Sequence, residues 1–284
     1  VQIVSVSDSQ FSIPWPKGFL SFLKLLVPFN FDFVSISGVG CIAQYNFFHS
    51  FVVMTTLPLI VLTTVYAVYK CGFHRHRKHH GEKFSHGMQV AYTNHAIQFT
   101  LWVVLLIYPP LSRRVVEYFT CSPEIDGQYY LEKDYRIPCY SGAWNNLVGL
   151  AIVAFLIYPF GIPFYFAYQL YKRRKNLNND LVRARFGFLY EAYRPEVYLW
   201  DVFELLRKFF LTGIVSWIAP GESFQVIWAS LWNVLFLIAL LTLRPYYKGQ
   251  GWNLAVATYF SITFTMLLGM ILATVEEAQE YSTV

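Results

Sequence analysis

Six apolar stretches, each long enough to cross a bilayer, lie between Phe47 and Thr274, and the gaps between them alternate between rich and poor in basic residues. We read the spans as Phe47–Lys70, Tyr92–Pro110, Ala143–Tyr171, Leu199–Ile218, Ser223–Leu243 and Trp252–Thr274. A bilayer core about 30 Å thick needs roughly 20 apolar residues of helix. Irregular backbone facing lipid would leave its polar groups unpaired, so the spans are expected to be helical. The fold class is therefore all-α, a multi-pass transmembrane helix bundle with six spans. Of the 22 Lys and Arg residues, five fall in the gap Lys70–Val90, seven in the gap Lys172–Tyr198, and Arg244 and Lys248 in the last gap. The positive-inside bias makes these three gaps cytoplasmic, and an even number of spans then places both ends of the bundle outside.

Composition agrees, with 56% hydrophobic and only 14% charged residues. A soluble domain equally apolar would break its apolar runs far sooner. The pI of about 8.9 marks topology and contact with anionic lipid rather than a nucleic-acid footprint, and no nucleic-acid partner is expected. The segment division is 1–46 as an extracellular or interfacial lead-in, 47–274 as the bundle, and 275–284 as an external tail or the start of a further segment. An external N-terminus without a local export signal leads us to expect a longer protein with an upstream helix or signal.

Ahead of the first span, Ser12–Phe33 is broken by Pro14, Pro16 and Pro28 and is too short to cross. Phe19, Phe22, Leu23 and Leu26 recur at helical spacing, so we read an interfacial cover over the outer mouth of the bundle. Cys121 and Cys139 bracket an external polar loop, and a disulfide between them would stabilise it by about 3 kcal/mol in the chain-entropy view. Cys41, also external, is a competing partner. Cys71 lies at the cytoplasmic border, where thiols stay reduced.

His74, His76, His79 and His80 are interleaved with Arg75, Arg77 and Lys78. Neighbouring cations repel a divalent metal, so we read a solvated basic loop touching anionic headgroups, and expect neither metal nor cofactor. The run Lys172, Arg173, Arg174 and Lys175 is read the same way. The most chemically loaded stretch holds Asp201, Glu204, Arg207 and Lys208 at helical spacings, so that Glu204 can pair with Arg207 or Lys208. Charges at that depth cost about 2.5 to 3.5 kcal/mol each on insertion scales and should face the interior and pair. This cluster is a candidate gate or a paired anchor at the cytoplasmic edge. His95, Asn94 and Gln98, the pair Asn145 and Asn146, and Asn233 are candidates for joining helices. Pro58, Pro109, Pro110, Pro159 and Pro163 are expected to interrupt or end helices, with a kink at Pro159–Pro163.

The order IPWP, FNFDFVSISGVGC, FGFLYEAYRPEVYLWDVFELLRKFFLTG and LTLRPYYKGQGWN resembles the polytopic module that algae, oomycetes and other protists carry behind cysteine-rich, ephrin-receptor-like extracellular repeats. That module is described as similar to transient-receptor-potential channels. The resemblance covers Pro14 to about Leu268 and is most specific over Tyr190–Lys208. It implies a channel-like membrane module, cation-conducting and gated by its ectodomain, lipid or tension, in the plasma or ciliary membrane. The alternative is a non-conducting anchor or receptor that holds extracellular repeats or a surface filament. Expected partners are membrane lipids, extracellular domain or filament proteins, and further helices of the same protein. The spans contain no HExxH or GxSxG motif, so no enzyme is expected.

Overall fold

The computed structural model describes residue 13 and residues 15–26, 46–80, 86–218, 223–247 and 249–283. Among them the helices are α1 (Lys17–Leu26), α2 (Phe47–His80), α3 (His86–Glu117), α4 (Gly142–Phe155), α5 (Ile162–Arg173), α6 (Asp180–Phe186), α7 (Trp200–Thr212), α8 (Ser223–Leu243) and α9 (Gln250–Thr283). An antiparallel hairpin, β1 (Tyr130–Leu131) and β2 (Asp134–Pro138), lies between α3 and α4. Five stretches are long and apolar enough to cross a membrane: Phe47–Arg75, Gly87–Glu117, Gly142–Arg173, Phe224–Leu243 and Gly251–Val275. The chain is thus an integral-membrane-type helical bundle.

Helix lengths depart from the apolar runs in a consistent way. α2 continues past Lys70 to His80, and α9 continues past Thr274 to Thr283. α3 does not stop at Pro110 but reaches Glu117, where Arg113 and Arg114 pair with Glu117 at 2.9 and 3.2 Å, one turn apart, and support the last turn. An apolar run measures hydrocarbon thickness, whereas a nucleated helix propagates through any residues that tolerate it.

The third span widens where its prolines sit. Leu156–Gly161 forms a π-helical segment joining α4 to α5 without a break. Pro163 has no N–H to offer the Pro159 carbonyl four residues earlier. The Tyr108 hydroxyl of α3 donates to that carbonyl instead, at 3.1 Å.

Leu199–Ile218, read as the fourth span, is not one long helix. Pro195 opens a separate 3₁₀ turn, α7 holds 13 residues, and a four-residue 3₁₀ turn follows at Ile214–Trp217. At about 1.5 Å per α-helical and about 2.0 Å per 3₁₀ residue, α7 and that turn extend roughly 28 Å, close to the thickness of a bilayer core. Contacts at both ends agree with a crossing. Before α7, the Arg194 N–H donates to the Pro245 carbonyl at 2.7 Å, beside the last basic gap. After α7, Trp217 Nε1 donates to Thr120 Oγ1 at 3.1 Å, at the far end of α3. Gly213, at the join, comes so close to α3 that a Cβ there would sit 3.1 Å from Val116 Cγ2.

The three basic gaps gather at one end. Arg185 Nε donates to Asn94 Oδ1 at 2.7 Å, joining the second basic gap to the start of α3, and Arg194 joins it to the end of α8. At the opposite end the Phe47 N–H, which opens α2, donates to Asp134 Oδ2 of the hairpin at 3.1 Å. Asp134 thus caps a helix 87 residues away. Arg136 also binds Asp134, at 2.7 and 2.8 Å.

Part of the lead-in packs into the bundle itself. Ile13 and Trp15 are buried against Leu211 and Val215 after the middle of α7, Val226 and Ala229 of α8, and Ile262 and Met266 of α9. Gly269 makes room: a Cβ there would lie 2.8 Å from Ile13 Cδ1 and 2.9 Å from Trp15. Phe22 of α1 remains half exposed, and the parts of the lead-in from residue 27 to 45, Cys41 included, lie outside the described residues.

Two outcomes follow for this architecture. Gly269→Val should displace the Ile13–Trp15 wedge and cost about 1–3 kcal/mol, measured by denaturant unfolding in detergent; unchanged stability would refute the close fit. For Asp134, the Arg136 hydrogen bonds, with help from the Phe47 N–H, hold the carboxyl below its usual range. A depressed carboxyl stabilises the fold fully above the unfolded value of about 3.9, and its contribution fades as pH falls through the lower folded value. Melting temperature in detergent should therefore drop below about pH 4 in the wild type, and Asp134→Asn should be less stable at neutral pH with a shallower acid limb. Identical acid limbs would show that this cap is not responsible.

Candidate intramembrane charge site

α7, α8 and α9 meet at one buried ionic pair. Arg207 donates through Nε and Nη2 to Glu204 Oε2 at 3.1 and 2.9 Å, one helical turn apart on α7. Its remaining arm, Nη1, donates to Asn233 Oδ1 of α8 at 3.2 Å. Asn233 Nδ2 donates to Thr263 Oγ1 of α9 at 2.7 Å, and that hydroxyl donates to the Tyr259 carbonyl at 2.8 Å. The Tyr259 hydroxyl donates to Glu204 Oε1, which closes the ring. The Arg207 guanidinium also lies over the Tyr259 ring, 4.3 Å from its centre. Glu204 is 8% exposed, Arg207 3%, Tyr259 3%, Thr263 7% and Asn233 0%.

The local sequence explains the placement. α7 buries Trp200, Val202, Leu205 and Phe209 on its packed faces and turns Phe203 outward, so Glu204 and Arg207 are kept from lipid. Both carboxylate oxygens of Glu204 are used, and Arg207 spends all three nitrogens within the ring. The arrangement can neutralise charge at membrane depth and fasten three helices together.

Of the four charges in the sequence-derived cluster, the ring takes two. Asp201 instead accepts from the Tyr193 hydroxyl at 3.0 Å, towards the basic end, where Tyr193 packs on Tyr246 with ring centres 5.0 Å apart. Lys208 is half-buried and acts on the Asp201 carboxylate through its charge. Glu204 selects Arg207 over Lys208 because the guanidinium fork reaches the carboxylate and Asn233 at once.

Cys121 and Cys139 form a disulfide, with Cα atoms 6.5 Å apart, that ties the hairpin to the end of α3. At the basic end, Arg75, Arg77, Lys78, Lys172, Arg174 and Lys175 are exposed. Lys172 lies over Tyr168, Arg173 over Phe186 and Arg174 over Tyr171, so aromatic rings on or beside the helix end hold these cations at that level. Lys83 and Lys248 lie outside the described residues.

Asn94 and His95 do not act together. Asn94 is buried under Arg185, whereas His95, about 100° around the helix, is exposed beside α2. Asn145 Nδ2 donates to the Tyr140 carbonyl at 3.1 Å, holding the turn before α4 rather than bridging helices. Asn233 does join helices, as its mid-span position led us to expect. Tyr259 and Thr263 were missed. Their spacing of four on the last span puts both hydroxyls on one face, but Thr258, Ser261 and Thr265 lie around them, so the spacing alone does not single the pair out.

Removing one member of the pair should cost far more than removing both. Arg207→Met alone, which strands the Glu204 carboxylate, is expected to destabilise by about 3–5 kcal/mol. Glu204→Leu with Arg207→Met should cost much less than the sum of the two single changes. Denaturant unfolding of the four proteins in one detergent measures the coupling, and additive losses would show that the pair is not a unit.

No protein-family model matches the chain, and no solved structure matches it. Over 185 residues, 60% of this chain, it is 26% identical to cysteine repeat modular protein A of Toxoplasma gondii. The matched stretch is 6% of that relative's length, so the chain corresponds to a small part of a much larger protein.

Proposed function

We propose that this chain is the membrane-embedded anchor of a larger surface protein, a non-catalytic bundle that holds an extracellular cysteine-rich repeat region or a surface filament in the plasma or ciliary membrane. The closed Glu204–Arg207–Asn233–Thr263–Tyr259 ring carries this reading, because it commits the intramembrane pair to fastening helices. A bundle locked this way suits transmission of load better than a water-lined path. The Toxoplasma gondii relative is named for cysteine repeats and has 94% of its length outside the matched stretch, which supports a repeat region attached to such a bundle. Lipids, the repeat region and further helices of the same protein are the partners this reading implies.

A second reading, a transient-receptor-potential-like cation channel gated by ectodomain, lipid or tension, is favoured by one observation. The π-helical segment Leu156–Gly161 gives a spanning helix a place to change pitch, and such segments recur at functional sites. Current across a planar bilayer containing purified, correctly oriented protein separates the two, with tension and calcium varied. Silence is expected for an anchor. Reproducible unitary events lost in Glu204→Gln would overturn the anchor reading and place the gate at the ring.

A further inference from the structure

Towards the basic end α3 stays joined to the bundle through Asn94, Ile97 and Leu101, whereas α2 turns outward. Among the described side chains, none of α2 beyond Pro58 is buried. Between the two helices lies a crevice of about 360 Å³, with Val65, Val68, Ala96 and Phe99 as its apolar walls and Tyr69 and His95 at its polar end. The Tyr69 hydroxyl shares a hydrogen bond with Thr93 at 3.0 Å, and the Tyr69 and Tyr92 rings stack with centres 5.5 Å apart, which floors the crevice. His95 is exposed and makes no hydrogen bond to the described residues.

Membrane depth decides what occupies such a place. Arg114 lies over the Phe47 ring and, with Arg113, marks the outer edge of the hydrocarbon. A core about 30 Å thick takes roughly 20 helical residues, which from these positions ends near Tyr66–Tyr69 in α2 and Thr93–His95 in α3. The polar end of the crevice therefore stands at the inner headgroup level, and its apolar walls stand in the tails of the same leaflet. Thr64, Val68, Cys71, Arg75 and Lys78 follow one another at spacings of four and three, so the face of α2 that walls the crevice carries Arg75 and Lys78 beyond it. Arg75 is about 10 Å further along the axis than Val68. Both cations are exposed.

We propose that this crevice is a binding site for one anionic glycerophospholipid of the cytoplasmic leaflet. An acyl chain lies against Val65, Val68 and Phe99, the glycerol and phosphate meet His95 and Tyr69, and the anionic headgroup meets Arg75 and Lys78. Apolar walls at tail depth exclude a soluble anion, and paired cations above them select against a neutral headgroup. The site is independent of whether the bundle conducts.

The test uses the 284-residue chain in nanodiscs of phosphatidylcholine with phosphatidylserine as the probe, followed by gentle extraction and native mass spectrometry. The expected result is one phosphatidylserine per chain, retained through washing that strips phosphatidylcholine. Arg75→Gln with Lys78→Gln should lower the preference for phosphatidylserine by about thirty-fold. Val68→Trp, at a position 64% exposed where no internal packing is broken, should fill the crevice and release both lipids. The proposal is overturned if Val68→Trp retains phosphatidylserine as the wild type does, if the double variant keeps the wild-type preference, or if the wild type retains a sterol or no phospholipid.

Discussion

An arginine carried into the interior of a membrane bundle dictates much of what surrounds it. Water is absent there, and each uncompensated donor costs as much as a lost hydrogen bond in an apolar medium. Arg207 brings a formal charge and a fork of donors, and the chain answers with one carboxylate, one amide, two hydroxyls and one aromatic face drawn from three helices. The relative rotation of α7, α8 and α9 is fixed by that demand, because the polar atoms must converge within about 3 Å while the remaining faces stay apolar. Nearby packing then follows: Tyr259 shares a buried cluster with Tyr193, Trp200, Leu240 and Ala255.

The outer end is held by different means. There the disulfide, the hairpin and the Asp134 cap bind α2, α3 and α4 into a cluster that includes Phe51, Tyr118, Leu131 and Trp144. Tyr118 and Trp144 exchange hydrogen bonds as well as stacking: the Tyr118 hydroxyl donates to the Trp144 carbonyl, and Trp144 Nε1 donates to the Tyr118 carbonyl. Among the described residues, the inner half of α2 buries no side chain and meets α3 through Tyr69 and Phe73. The molecule is therefore firm at its outer end and through the α7–α9 core, and open to lipid between α2 and α3.

Much of this was legible in the chain because one-dimensional signals carry it. Five of the six apolar runs form helices long enough to cross, in the order read, and the alternation of Lys and Arg matched the gathering of Arg185, Arg194 and Asn94 at one end. The pairing of Glu204 with Arg207 was open to inspection because partners three residues apart on a helix are neighbours. The closure through Asn233, Thr263 and Tyr259 was not, since contacts between separate spans leave no local period. Helix ends at His80, Glu117 and Thr283 were missed for another reason: hydropathy reports where lipid stops, not where hydrogen bonding does. The break of the fourth segment at Gly213 reflects the close approach of α3, a tertiary demand that overrides a continuous apolar run.

The wedge formed by Ile13 and Trp15 has a consequence for biogenesis. These residues precede α2 in the chain, yet their binding surface comes from α7, α8 and α9, which follow it. Throughout synthesis and insertion the aromatic lead-in must wait at the membrane surface, and Arg207 and Glu204 have only one another until α8 and α9 arrive. Docking of the wedge thus waits for α9, and joins two segments that most of the bundle separates in sequence. Removal of α9 would take Ile262 and Met266 from the surface on which Ile13 and Trp15 rest.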